Sequence, residues 1–166
     1  EGLLYVKGRF KSLLISSDGE KYSPEGIEEA LVEKSRYIDQ VMLYNNQSAY
    51  TTAVIVPNRD QLIRKLKEQG LSLDTEEGRT AALKKLDSEL NKYKKGGEFE
   101  GMFPERWLPS CFAVLAEPFT EQNHMINSTM KMVRGKIEKA YADRIAYMYT
   151  AEGKQLLNQQ NLDALK

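Results

Sequence analysis

The chain has 166 residues, with 24 Lys and Arg against 24 Asp and Glu. That length supports one domain with a real core, and the balanced charge argues against a polyanion-wrapping protein while leaving room for a local basic patch. A hydrophobic share of 41%, with one Trp, nine Tyr and five Phe, argues against a disordered chain, and a single cysteine, Cys111, excludes an internal disulfide.

No apolar run is long enough to span a bilayer and no signal-peptide pattern opens the sequence, so a cytoplasmic address is the default expectation. The chain opens on Glu1 and enters a strand-like segment at 3–6 almost at once, which reads as a piece of a longer protein. That segment is expected to pair with the Leu13-Leu14-Ile15 run around Lys7-Gly8-Arg9-Phe10-Lys11. Next comes the polar turn Ser16-Ser17-Asp18-Gly19, where Asp-Gly supplies a positive φ. Ser23 as N-cap and Pro24 at the first helical position start a helix that runs to about residue 34. Ile27, Ala30 and Leu31 share its inner face, and Glu25, Glu28, Glu29 and Glu33 make an acidic outer face.

Residues 38–44 and 51–56 are the clearest strands, joined by a polar loop of hairpin length at 45–49. Pro57 closes the second strand, and Asn58 or Asp60 caps a helix with Leu62, Ile63 and Leu66 on one face and Gly70 as its stop. A longer, more polar helix is expected over 75–93, with Asp74 and Glu77 spaced as a capping box. Its apolar stripe is Leu83, Leu86, Leu90 and Tyr93, and Gly96-Gly97 follow its end. Residues 99–109 form an irregular connector, 111–116 a buried strand, and 119–128 a polar turn region. A last main helix extends from about Met132 to Met148, with Ile137, Tyr141 and Ile145 spaced by four. The pattern predicts an α+β fold: an N-terminal β-hairpin, a roughly three-stranded sheet flanked by helices, and a peripheral helical insertion at 71–103. Residues 1–150 are assigned to this domain, and 151–166 to a tail with helical leucine spacing.

Common chemistries are poorly represented. His124 is the only histidine and has no thiolate cluster to join, so no metal site is expected. No G-x-S-x-G elbow and no G-x-x-x-x-G-K-[ST] phosphate loop is present. The glutamates around Glu28 read as a solvated helix face. More informative is N-S-T-M-K-M-V-R, which sets Lys131 and Arg134 three apart where a turn meets a helix. A lysine there can present a point charge to a phosphate, and Arg134 can anchor it one helical turn on.

Two separated stretches then converge. G-R-F-K-S-L-L-I-S-S-D-G-E-K-Y-S-P-E-G-I-E (8–28) resembles the hinge and hairpin that open the small C-terminal domain of the AMP-forming acyl-CoA synthetases, within the adenylate-forming superfamily. N-S-T-M-K-M-V-R (127–134) resembles that domain's closing motif, and the flanking E-P-F-T-E-Q-N and K-A-Y segments resemble the long-chain fatty-acid subgroup. The resemblance implies activation of a fatty acid with Mg-ATP to an acyl-adenylate. Rotation of the small domain and attack by the thiol of CoA then give the thioester. It assigns Lys131, which Arg134 supports by the spacing above, to adenylation, Arg9 and Lys11 to the hinge, and Gly19 and Lys21 to the CoA channel. ATP and Mg2+ would be held mainly by an N-terminal adenylation domain, whose phosphate loop and acyl pocket these residues lack. The chain alone is therefore expected to be inactive. That domain, fatty acid, ATP and CoA are the implied partners, with no nucleic acid, and peripheral membrane contact of the parent enzyme stays open.

Two departures stand out: Met130 where the motif often has Gly, and Ile126-Asn127-Ser128-Thr129 where Leu-Thr-Pro-Thr is common. Two other readings remain. One is an acyl-adenylate ligase that loads a carrier protein. The other is a non-catalytic α+β interaction module that docks through the helix at 75–93.

Overall fold

The computed structural model describes residues 13–166. The expected strand at 3–6, and Arg9 and Lys11 with it, lie outside the described residues. The elements are β1 (Leu14–Ser16), β2 (Lys21–Tyr22), α1 (Glu25–Glu33), β3 (Ile38–Tyr44), β4 (Asn46–Ser48), β5 (Thr51–Pro57), α2 (Arg59–Glu68), α3 (Glu76–Asn91), a 3-10 turn (Glu105–Trp107), β6 (Pro109–Val114), α4 (Arg134–Ala140), α5 (Ala142–Tyr147) and α6 (Gln159–Ala164). They form an α+β domain, as the pattern predicts, with two three-stranded sheets in place of a hairpin and one sheet.

The larger sheet has the order β3-β5-β6, with β3 antiparallel and β6 parallel to β5. Its side chains alternate by the period of two that a strand imposes. Val41, Leu43, Ala53, Ile55, Phe112 and Val114 face one layer, packed with Ile27, Leu31, Leu62 and Leu83. Met42, Val54, Val56, Cys111 and Ala113 face the other, under Ile137, Ile145 and Met148. Both faces are covered, which explains why every residue of β5 is buried and why Ala53 to Val56 reads as a continuous apolar run. Cys111 sits in this second layer, and burial pushes its thiol up to about 11, so it packs as a small hydrophobe.

The smaller sheet, β2-β1-β4, contains the first revision to the sequence reading. The polar loop at 45–49 supplies β4, which runs parallel to β1. Gln47 takes a φ of 63°, and the buried Asn45 carboxamide accepts from the Ser48 N–H and donates to the Tyr22 hydroxyl. The Tyr22 hydroxyl also hydrogen-bonds Thr51 Oγ1. These contacts fasten the β1–β2 hairpin to the start of β5.

Local capping differs in detail. Asn58 caps α2 through its side chain, one of the two residues expected to do so. In α3 the cap is Thr75, whose hydroxyl accepts from the Gly78 N–H, in place of the expected Asp74–Glu77 box. Pro24 occupies the N-cap of α1 with no side-chain cap bond, so Ser23 does not serve. The α3 stripe of Leu83, Leu86, Leu90 and Tyr93 is buried in the main core. The helix expected over 132–148 is broken at Tyr141, whose φ of −114° and ψ of 26° separate α4 from α5. Ile137 and Ile145 still face the same layer.

Strand β6 is the sheet's outer strand, and its free edge is closed by a side chain. Asn161 of α6 accepts from the Val114 N–H at 2.9 Å and donates to the Phe112 carbonyl at 3.1 Å. Its carboxamide thus replaces a neighbouring strand. Leu162 and Leu165 add α6 to the main core. Among the described residues, no helix is long and apolar enough to cross a membrane.

Candidate functional site

Two tight loops share one backbone design. In the first, Gly19 N–H donates to the Ser16 carbonyl and Ser16 N–H to the Glu20 carbonyl, both at 2.9 Å. Asp18 reinforces the turn by accepting from Ser16 Oγ and from the Glu20 N–H. Gly19 has a φ of 90°, and no atom lies within 4 Å of where its Cβ would stand. The glycine is therefore required by its dihedral, and its outer side is open to a close approach.

The second loop repeats this plan at 127–131. Met130 N–H donates to the Asn127 carbonyl and Asn127 N–H to the Lys131 carbonyl, both at 2.9 Å. The side chain of Asn127 accepts from the Thr129 N–H, the Thr129 hydroxyl and the Lys131 N–H. Ile126 and Met132 form an antiparallel bridge beneath the loop. The absent proline is thus offset by an asparagine that bonds the loop from inside. Met130, 72% exposed, takes a φ of 64°, the left-handed slot that Gly19 fills in the first loop. A side chain there costs about 1 kcal/mol relative to glycine. Met130→Gly should raise the urea midpoint by an amount equivalent to about 1 kcal/mol with an unchanged m-value. A midpoint that falls would show that Met130 contributes more than its backbone strain.

Lys131 follows this strained residue and is exposed. Among the described residues its ammonium joins no salt bridge. Its backbone, by contrast, is fixed on both sides. Three residues on, Arg134 opens α4 and reaches the carboxylate of Glu28 on α1. Nη1 donates to Oε2 at 2.9 Å and Nη2 to Oε1. Oε2 also accepts from the Leu43 N–H of β3 at 2.7 Å. The side chains are only 5% (Glu28) and 12% (Arg134) exposed. Burial pushes the Glu28 carboxyl up, while Arg134 and the Leu43 amide pull it back. Burial also opposes the Arg134 charge, but the Glu28 bonds outweigh it and raise the Arg134 pKa.

Glu28 corrects the expectation of a solvated acidic face. It lies beside Ile27 and one turn before Leu31, and so borders the apolar stripe. Its partner is 106 residues away, and only the position of Glu28 against that stripe hinted at burial. The pair ties α1, the helix that follows the first loop, to α4, the helix that follows the second. Lys21 sits exposed on β2, opposite Ile15. His124 lies exposed in the turn ahead of the second loop, with a φ of 67°. Among the described residues no three His, Cys, Asp or Glu side chains converge as a metal site.

A small α+β domain with an N-terminal hairpin, a three-stranded sheet and a lysine loop docked back on its first helix has the fold of the C-terminal domain of adenylate-forming enzymes. The chain is 27% identical over 155 residues to long chain acyl-CoA synthetase 8 of Arabidopsis thaliana, covering 90% of this chain and 21% of the relative. It is 26% identical over 149 residues to a chloroplastic long-chain-fatty-acid–[acyl-carrier-protein] ligase of the same plant, covering 90% and 18%. It also superposes on the A-PCP didomain of a carboxylic acid reductase from Segniliparus rugosus, solved in complex with AMP. That match has a TM-score of 0.66 and 25% identity, over 87% of this chain and 18% of the other. No family model matches the chain. The chain is similar to acyl-CoA synthetases and to an acyl-carrier-protein ligase, and spans about a fifth of the length of these curated relatives.

Proposed function

We propose that this chain works as the mobile C-terminal domain of a long-chain fatty-acid–CoA ligase, in partnership with an N-terminal adenylation domain. The observation that carries this reading is the second loop. It presents an exposed Lys131 on a backbone fixed by Asn127 and anchored three residues later by the Glu28–Arg134 pair. In the first half-reaction a fatty-acid carboxylate oxygen attacks the α-phosphorus of ATP and pyrophosphate leaves. Negative charge builds on the phosphate and carboxylate oxygens, and a positioned ammonium at Lys131 stabilises it. In the second, the domain rotates about a hinge at Arg9 and Lys11. The CoA thiol sulfur then attacks the acyl carbonyl carbon, AMP leaves, and the thiol proton passes to solvent or a base. Gly19 lets the backbone approach the pantetheine arm, and Lys21 meets a CoA phosphate. Alone, without that partner domain, the chain should form no acyl-CoA.

The carrier-protein ligase among the relatives favours a second reading, in which the acceptor is a carrier's pantetheine. The full-length parent, given a long-chain fatty acid and ATP, distinguishes the two. Thioester should appear with free CoA. Turnover with a holo-carrier protein and none with CoA would replace the first reading by the second.

A further inference from the structure

The first loop is held from outside by a segment that the adenylation and thioester chemistry does not use. Glu20, the residue after Gly19, receives a bidentate bond from Arg106: Nε to Oε1 and Nη2 to Oε2, both at 2.7 Å. Two residues further, Tyr22 stacks on Trp107 with ring centroids 5.3 Å apart and planes 10° from parallel. Arg106 and Trp107 lie in the 3-10 turn that follows the insertion, and the insertion itself grips α1. Tyr93 donates its hydroxyl proton to the Ala30 carbonyl at 3.0 Å, and the Phe103 ring lies beside Gly26. Ser17, Asp18 and Gly19 are exposed at the loop tip, so these outside contacts, with Asn45 and Thr51 inside, set where the tip points.

We propose that the insertion and its 3-10 turn brace the first loop for thioester formation, with Arg106 and Trp107 as positioning residues. The inference rests on the assignment of Gly19 to the thiol-acceptor channel. Arg106 fixes the carboxylate next to Gly19 through two parallel bonds, a geometry that lysine cannot reproduce. Trp107 fixes the ring plane of Tyr22, whose hydroxyl is already tied to Asn45 and Thr51. Together they tie the loop from outside at Glu20 and Tyr22. A small displacement of this loop matters only when the pantetheine arm must pass it, so the effect falls on one half-reaction.

The test uses the full-length parent carrying Arg106→Ala, Trp107→Leu and, in parallel, Gly19→Trp, with the two half-reactions followed separately. Adenylate formation from fatty acid and ATP should stay within about twofold of wild type for Arg106→Ala and Trp107→Leu. Thioester formation from preformed acyl-adenylate should fall about ten- to a hundredfold, the cost of a small misplacement far from the reacting atoms. The charge-exchanged double variant Glu20→Arg, Arg106→Glu should recover part of the lost thioester rate. Equal losses in both half-reactions, or none in either, would overturn the proposal. If Gly19→Trp blocks thioester formation while Arg106→Ala and Trp107→Leu do not, the brace fails and the channel assignment stands. If Gly19→Trp leaves thioester formation intact, the channel assignment fails and takes the brace with it.

Discussion

Glu28→Ala should destabilise the folded chain by about 3–5 kcal/mol, the usual cost of removing one partner from a buried ion pair. The substitution leaves the Arg134 guanidinium, 12% exposed, without a counter-charge. It also strands the Leu43 N–H of β3, which donates to Oε2 at 2.7 Å. A cavity adds to both losses. Urea unfolding should show the midpoint falling with little change in slope. Glu28→Gln keeps an acceptor for Leu43 and the side-chain volume, and should lose less. The double variant Glu28→Ala, Arg134→Met removes both charges together, and should recover part of the loss because no buried charge is left unpaired. A Glu28→Ala midpoint indistinguishable from wild type would contradict the buried clamp between α1 and α4.

Lys131→Ala, placed in the full-length parent, carries the largest expected effect on activity. Adenylate formation should fall about 10²- to 10³-fold, the range seen when one preorganised charge-stabilising donor is removed. Stability should barely change, because the Lys131 ammonium is exposed and makes no ion pair among the described residues. Its backbone bonds to Asn127 remain available to any residue. Lys131→Arg is not a neutral exchange, since a planar fork replaces a compact point charge. It should recover part of the rate at most. Together the two lysine variants separate a requirement for positive charge from one for this particular ammonium.

Local chemistry made much of the domain legible from the sequence. β5 is given by its β-branched residues, the α2 cap by Asn58, and the buried thiol by its apolar neighbours. The two loop motifs stand out because Asp-Gly and the lysine after a polar turn have local mechanisms. What stayed hidden depends on distant partners. Glu28 carries the same charge as Glu25, Glu29 and Glu33, and the partners that set it apart, Leu43 and Arg134, lie 15 and 106 residues away. Strand β4 is polar and short, and pairs with the distant β1, Ile15 opposite Asn46, in a register that no periodicity reveals. The brace by Arg106 and Trp107 sits in a connector with no regular pattern. The design shared by the loops at Gly19 and Met130 was obscured because one uses glycine and the other pays a left-handed side chain for the same turn.

The most direct test of the central claim supplies preformed acyl-adenylate and CoA to the full-length Lys131→Ala parent and measures thioester formation in a single turnover. The account predicts a rate within about threefold of wild type, even as adenylation from ATP collapses, because the lysine serves only the first of two alternating domain positions. A thioester rate that falls as far as adenylation would contradict it, as would adenylation that proceeds undiminished without the lysine.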